Sequence, residues 1–300
     1  MNFSIVKDEG IVLSYSGLYD KTKVMSPDVI RAGDQYRLYY VGTNCPPEKR
    51  TDYRLLVACS DDGKKYTKTH KPILDLESET DKHYSPKIIY FNKRYLLYYG
   101  LGSNGKYQIA QAVSDDGYSF TKCADCVIDV SAAHKALVHS PKMFVSSGKI
   151  HCYYTGSNFP DKIYSKKYPS YEFANQFSLF YSSSFDGKHF AKGRKVHISD
   201  SSHFVNIYGH NVYYCNDLVY LFFAGFDGST NSIYVTTSSD MIHFEKPRLL
   251  LSPNPENNEL GIYSCSLVQI DKSIFRLFYG VRYFDNRWKI KSVQLRGSNL

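Results

Sequence analysis

Short apolar runs alternate with polar turns along the whole chain, and one arrangement of them returns five times. Each copy opens with a short motif and passes through a polar turn into an apolar run rich in Tyr, Leu and Phe. The openings are residues 25–30 (MSPDVI), 84–89 (YSPKII), 139–144 (HSPKMF), 208–213 (YGHNVY) and 263–268 (YSCSLV). Apolar runs joined by Gly, Asn and Asp turns predict antiparallel β-hairpins.

A second turn motif closes four of the copies. It occupies residues 60–66 (SDDGKKY), 114–120 (SDDGYSF), 184–190 (SFDGKHF) and 238–244 (SSDMIHF). Asp and Gly favour tight turns, and recurrence in four copies indicates a structural role rather than a calcium or catalytic site. Four strands in each of five copies predict one all-β domain over residues 1–300, a five-bladed β-propeller. Residues 10–16 are expected to complete the last blade beside residues 292–295.

Composition supports a β protein and argues against nucleic-acid and membrane partners. The chain has 28 Tyr and 18 Phe against one Trp, a composition that favours pleated strands. The net charge of +8 is spread out, with no basic helix or zinc-finger spacing, so nucleic acid is not an expected partner. No apolar leader and no membrane-spanning run is present, which predicts a cytoplasmic protein that does not bind membranes.

The cysteines give no sign of a disulfide framework or a cofactor. There are seven, an odd number, and most lie inside apolar runs, as reduced thiols do. Cys123 and Cys126 form a lone C-x-x-C without the second pair that a zinc site needs, so we expect a surface turn there. No metal or other cofactor is predicted.

The five openings resemble those of glycoside hydrolase family 43 and its relatives in families 32 and 130. In family 43 the first blade opens with Asp-Pro, which supplies the general base. The second opens with Trp-Ala-Pro-Asp, whose Asp tunes the acid, and the fourth commonly carries Glu-Gly-Pro, whose Glu is the acid. In this chain those positions fall on Ser26, Lys87 and Tyr208. Because glycoside hydrolysis uses two carboxylates, an ordinary family 43 hydrolase is not expected.

The strand openings nevertheless predict a polar site at the propeller axis, since side chains two apart share a face of a strand. Cations, imidazoles and phenols around one mouth indicate a pocket for phosphate, carboxylate or sulfate. The candidate catalytic residues are Asp28, Lys87 and Tyr208. The candidate substrate-binding residues are Lys142, His83, His139, His210, Asn211, Tyr84 and Tyr263.

Structural alternatives exist for the same residues. Lys87 and Lys142 would flank Asp28 only to hold the channel together by an ion pair. The three histidines would serve as hydrogen-bonded structural groups, or together would hold a metal.

Two functions from different classes fit these features. The first is an enzyme acting on an anionic or phosphorylated sugar, by a glycosidase-like, phosphorylase or glycosyl-transfer reaction. The resemblance to family 130 implies that bound phosphate would then be the nucleophile, so that one protein acid suffices. The alternative is a catalytically inactive glycan-binding propeller, with Tyr164, Tyr168 and Tyr171 as an aromatic platform in a long loop. A protein-interaction scaffold is a third interpretation.

Overall fold

Strands make up nearly all of the regular structure. The computed structural model describes residues 2–46, 52–78, 81–103, 106–129, 137–157 and 177–298. Within these ranges the only element other than a strand is a short 3-10 helix, Pro255–Asn257. The predicted all-β class is therefore confirmed. No helix in the described ranges has the length and apolar character to cross a bilayer.

The strands are numbered in chain order. They are β1 (Asn2–Leu13), β2 (Lys23–Ala32), β3 (Gln35–Thr43), β4 (Arg54–Ser60), β5 (Thr67–Pro72), β6 (Lys82–Phe91), β7 (Arg94–Ser103), β8 (Lys106–Ser114), β9 (Thr121–Ile128), β10 (Leu137–Ser146), β11 (Lys149–Ser157), β12 (Ser178–Ser184), β13 (Arg194–Lys195), β14 (His197–Ile198), β15 (Asn206–Cys215), β16 (Leu218–Phe226), β17 (Asn231–Ser238), β18 (His243–Phe244), β19 (Arg248–Leu251), β20 (Glu259–Asp271), β21 (Ile274–Tyr283) and β22 (Trp288–Ser298).

Most strands belong to four-stranded antiparallel groups, and β14 and β18 form a separate two-stranded parallel sheet. Three of the groups are separate sheets, namely β6 to β9, β10 to β13, and β15, β16, β17 and β19. An eight-stranded sheet contains two more groups, β2 to β5 and β20 to β22 with β1, which meet at one parallel pair, Lys23 opposite Trp288. We number these groups as units 1 to 5 by their first strands, β2, β6, β10, β15 and β20. The first strands contact one another in that order, and β20 contacts β2.

The N-terminal strand completes unit 5. β1 runs antiparallel to β22, with Gly10 opposite Ser292 and Ile11 opposite Lys291. The prediction that these segments share a sheet is confirmed as far as Leu13, where β1 ends, although residues 292–295 pair with residues 5–10 and residues 11–13 pair with residues 290–291. The ring of Phe3 lies edge-on to Phe222 of unit 4 at 5.1 Å, so β1 also contacts the neighbouring unit.

The repeated acidic turns are fixed by their own hydrogen bonds. Asp116 accepts the Ser114 hydroxyl at 2.8 Å and the backbone N–H of Tyr118 at 2.7 Å and Ser119 at 3.0 Å. These donors lower the pKa of the Asp116 carboxyl because they stabilise its charged form. A tyrosine of the preceding unit donates to three such turns, in the pairs Tyr39–Gly117, Tyr98–Gly187 and Tyr153–Met241. Each of these three turns therefore connects its own unit to the preceding one.

The C-x-x-C segment differs from expectation. Cys123 and Cys126 lie on strand β9 and not in a turn. The Cys123 thiol donates to the side-chain oxygen of Gln111 at 3.2 Å on the adjacent strand β8. The prediction of a surface turn was wrong because pairing with β8 extends the strand through polar residues, which local turn preferences do not register.

Candidate functional site

A bulge near the start of the first strand sets the geometry of the site. In units 1 to 4 the first strand has one residue more than the second strand at the opening motif, so that the pairing shifts there, for example between Met25 and Asp28. At the bulge the backbone is left-handed, with φ of 54° at Ser26, 45° at Ser85, 55° at Ser140 and 57° at Gly209. A bulge bends the strand and re-aims its side chains. As a result, the residues at the bulge and the residues two positions later form two rings at different depths.

The upper ring opens into a cavity of about 300 Å³. It is formed by Ser26, Ser85, Ser140, Gly209 and Ser264, which all line the cavity. The residues two positions later in the chain, Asp28, Lys87, Lys142, Asn211 and Ser266, are not among the lining residues. They form a lower ring on the same five first strands.

Seven of the nineteen described residues that line the cavity are Tyr, Phe or Trp. Trp288 lies 4.8 Å from Tyr263, Tyr263 stacks on Tyr208 at 5.9 Å, and Tyr208 lies 6.1 Å from Phe177, which meets His139 edge-on at 5.0 Å. A second group lies across unit 2, where Tyr84 contacts Tyr53 at 5.2 Å and Tyr107 at 6.0 Å. Such rings offer large apolar faces with polar edges, which suit the C–H faces of a sugar ring.

Positive charge lines the side of the cavity formed by units 5, 1 and 2. The cations are Lys23, Lys82 and Arg282, and no Asp or Glu is found among the described residues that line the cavity. Arg282 on β21 is opposite Trp288 on β22, and Trp288 is opposite Lys23 on β2, so the two cations belong to the strands on either side of Trp288. Asn286 accepts two hydrogen bonds from Arg282, at 3.0 Å and 2.6 Å, which hold the guanidinium in place.

Asp28, Lys87 and Lys142 converge in the lower ring. One Asp28 oxygen accepts from Lys87 Nζ at 3.2 Å and from Lys142 Nζ at 3.4 Å, and the carboxylate is wholly buried. Burial lowers the pKa of Lys142 because it penalises the ammonium, and the nearby Asp28 charge opposes that shift. These contacts match the structural alternative, in which Lys87 and Lys142 form ion pairs with Asp28. A catalytic role for Asp28 or Lys87 stays a prediction, and it would require substrate to reach this buried group.

The lower ring also links one unit to the next through backbone N–H groups. Asp28 accepts from Ile88 N at 2.8 Å, Asn211 from Leu267 N at 3.3 Å, and Ser266 from Val29 N at 2.9 Å. An ammonium has no acceptor, so the two lysines of the ring donate instead. Lys142 donates to the carbonyl oxygens of Pro27 at 3.4 Å and Pro86 at 3.3 Å. These hydrogen bonds hold the five first strands together.

The three candidate histidines occupy different places. His83 is buried edge-on against Tyr99 at 4.8 Å, and burial lowers its pKa to about 4. His210 is wholly buried, its Nε2–H donates to the Tyr153 carbonyl at 3.1 Å, and burial lowers its pKa to about 3. Only His139 of the three lines the cavity. Within the described ranges no cluster of three or more His, Cys, Asp or Glu could hold a metal ion.

The candidate tyrosines all line the cavity. They are Tyr84, Tyr208 and Tyr263. The Tyr208 hydroxyl donates to the side-chain oxygen of Asn231, so its ring rather than its proton is offered to the cavity. Tyr164, Tyr168 and Tyr171 lie outside the described residues.

Similarity to known proteins is found in structure and not in sequence. No family model matches the chain, and no curated protein matches it. A glycoside hydrolase of known structure matches with a TM-score of 0.75 at 13% identity, over 96% of this chain and 92% of that one. A thermostable family-43 glycoside hydrolase matches with a TM-score of 0.73 at 14% identity, over 96% of both chains.

A third similar structure belongs to family 130. It is a glycoside hydrolase that targets β-1,2 mannosidic linkages in Candida mannan, with a TM-score of 0.69 at 14% identity over 97% of this chain and 93% of that one. The chain has the fold of these glycoside hydrolases. The resemblance noted in the strand openings is confirmed at the level of fold for families 43 and 130.

Sequence reasoning missed the cations that line the cavity. Lys23 and Lys82 each stand three residues before the opening serine of their unit, so the repeat itself carried a signal for them. Arg282 and Trp288 flank the turn between β21 and β22 and become neighbours of Lys23 only through sheet pairing. No spacing in the sequence shows that contact.

Proposed function

We propose that the chain is a five-bladed β-propeller whose axial cavity binds an anionic saccharide. Units 1 to 5 would be the blades, as supported by the closed cycle of contacts among β2, β6, β10, β15 and β20. The hydrogen bonds that pass from the first strand of one unit to the next support the same arrangement.

The composition of the cavity wall carries the functional proposal. Aromatic faces supply contact area for a sugar ring, and the described lining includes the cations Lys23, Lys82 and Arg282 and no Asp or Glu. Charge-assisted hydrogen bonds to carboxylate or phosphate are stronger than neutral ones. A uronic acid or a sugar phosphate therefore fits this wall better than a neutral sugar.

The position of the anion follows from the pairing of three strands. A sugar ring stacked on Trp288 and Tyr263 would place an acidic substituent between Arg282 on β21 and Lys23 on β2. Arg282 is held by Asn286 and so loses little freedom when it binds. We infer that Arg282 is the main anion receptor of the cavity.

Binding is the function that the described lining supports best. The enzyme that the strand openings suggest would need an acid or base at the cavity surface, and Asp28 is buried beneath it. A reaction on the bound sugar remains the second candidate, favoured by the glycoside hydrolase fold and by His139, a titratable group in the cavity wall.

The single tryptophan makes this proposal testable without a label. Trp288 is the only Trp of the chain and lines the cavity, so its fluorescence should report a bound sugar. We expect acidic oligosaccharides or sugar phosphates to change the signal at concentrations at least tenfold below those of carboxyl-reduced or dephosphorylated counterparts, a difference of about 1.4 kcal/mol. Equal affinity for acidic and neutral forms, or no response to either, would show the proposal to be wrong.

Two variants locate the charge recognition. Arg282→Gln removes the proposed receptor and should weaken binding of the acidic ligand by about 10- to 100-fold, the value of one or two charge-assisted hydrogen bonds. Lys64→Met removes an exposed lysine that lies outside the cavity and should leave affinity unchanged. Calorimetry should give the same ranking as the fluorescence titration.

A further inference from the structure

Two serines and a histidine form a hydrogen-bonded chain in the cavity wall. Nδ1 of His139 lies 2.6 Å from the Ser140 hydroxyl oxygen, and that oxygen lies 3.1 Å from the hydroxyl oxygen of Ser85. All three residues line the cavity, at the border of units 2 and 3. The 2.6 Å contact is within the range that joins a nucleophile to its general base.

The left-handed backbone at Ser140 is not what sets this site apart. Ser26, Ser85 and Gly209 share that conformation, so it belongs to the repeated bulge. What differs is the residue before each of them. Units 1, 2, 4 and 5 have Met25, Tyr84, Tyr208 and Tyr263 at this position, and only unit 3 has a histidine. The imidazole is therefore an addition to the repeat and not a requirement of it.

The imidazole is held in position by its neighbours. The ring of His139 packs edge-on against Phe177 at 5.0 Å, which fixes the ring plane while Nδ1 is directed at Ser140. A base must be oriented by a further group to act on a nucleophile, and packing against an aromatic ring supplies that constraint here.

We propose that Ser140 is a nucleophile activated by His139, and that the cavity cleaves an ester between an acyl group and a sugar hydroxyl. This goes beyond saccharide binding and does not depend on the charge of the sugar. His139 Nδ1 accepts the Ser140 proton while Ser140 Oγ forms a bond to the acyl carbon. The Ser85 hydroxyl donates a hydrogen bond to the negative charge that develops in the adjacent tetrahedral intermediate.

The reaction balances with water as the only other reactant. Collapse of the tetrahedral intermediate breaks the bond to the sugar oxygen, which takes the proton from His139 and leaves as the alcohol. Water then gives a proton to the same nitrogen and attacks the acyl-serine. The products are the free acid and Ser140 with its hydroxyl proton restored.

The test is covalent trapping of the wild-type protein. An alkyl fluorophosphonate should form one adduct per chain with release of fluoride, and peptide mapping should place the adduct on Ser140. Ser26 is an internal comparison, since it lines the same cavity with the same backbone conformation but follows Met25. It should stay unmodified. Acid quenching soon after mixing with p-nitrophenyl acetate should trap one acetyl group on the same serine before water removes it.

Variants separate activation from simple exposure. Ser140→Ala should abolish the adduct, and His139→Gln should slow its formation by about 100-fold or more, the contribution of a general base. Ser239→Ala, at an exposed turn, should react like the wild type.

No adduct on the folded wild type, an adduct on Ser26, or an equal labelling rate in His139→Gln would each overturn the proposal. Mapping of the wild type decides the matter even where a variant fails to fold. Saccharide affinity, measured separately, would be unaffected by that outcome.

Discussion

Replacing Asp28 by Asn should destabilise the protein more than any substitution of an exposed carboxylate. The Asn side chain keeps an acceptor for Ile88 N but removes the charge that faces Lys87 at 3.2 Å and Lys142 at 3.4 Å. Lys142 is buried, so its ammonium would be left without a counter-charge. Breaking a buried pair in this way costs about 3–5 kcal/mol. At about 2 °C per kcal/mol for a large domain, the melting temperature should fall by roughly 6–10 °C.

A second substitution tests whether charge is the cause. Lys142→Met in the Asp28→Asn background removes the unpaired ammonium and should recover at least half of the lost melting temperature. Asp61→Asn makes the same chemical change at an exposed turn residue and should shift the melting temperature by less than 2 °C, about 1 kcal/mol. The assay is thermal unfolding followed by circular dichroism. A loss as small as that of Asp61→Asn, or a double variant no more stable than the single one, would refute the structural interpretation of the cluster.

Three further predictions concern stability. Burial holds the pKa of folded His83 at about 4, below the 6.5 of an unfolded histidine, so the unfolded chain binds the proton first as pH falls. His83 alone should then contribute a drop of about 1.4 kcal/mol per pH unit in the free energy of unfolding between pH 6.5 and 4, so urea titrations of His83→Gln should show a pH dependence that is flatter by that amount. Tyr98→Phe removes the donor to Gly187 O and should cost about 1–2 kcal/mol in urea denaturation. Gly209→Ser should lower the melting temperature strongly, since a Cβ there would overlap the Tyr263 carbonyl oxygen, while Ser26→Gly should change it little.

Much of the fold follows from local sequence signals. The repeated openings and the Ser-x-Asp turns mark the strands because hairpin turns need particular residues at fixed places. The pairing of β1 with β22 was also predictable, since the last unit lacked residues for a fourth strand and the chain start supplied an apolar run. The convergence of Asp28, Lys87 and Lys142 followed from their shared place in the repeat.

The depth of each ring was not predictable from alternation along the strand. Side chains two apart share a face of a regular strand, which put Ser26 and Asp28 in neighbouring rings of one mouth. The bulge at Ser26 and Pro27 breaks that regularity, so that Ser26 lines the cavity while Asp28 is buried below it. A left-handed φ at a serine has no signature in the sequence, because serine adopts it only where the surrounding sheet imposes it.

The two groups of cations lie in different surroundings. Lys87 and Lys142 share Asp28 in a buried cluster, where a charge is tolerated only with a partner and where salt screens little. Lys23, Lys82 and Arg282 line an open cavity whose described wall has no carboxylate. Charges at such a mouth attract anions from solution, and added salt weakens that attraction over a distance of about 10 Å at 0.1 M. Added salt should consequently weaken the binding of an acidic sugar to Lys23, Lys82 and Arg282. It should leave the contribution of the Asp28, Lys87 and Lys142 cluster to stability largely unchanged.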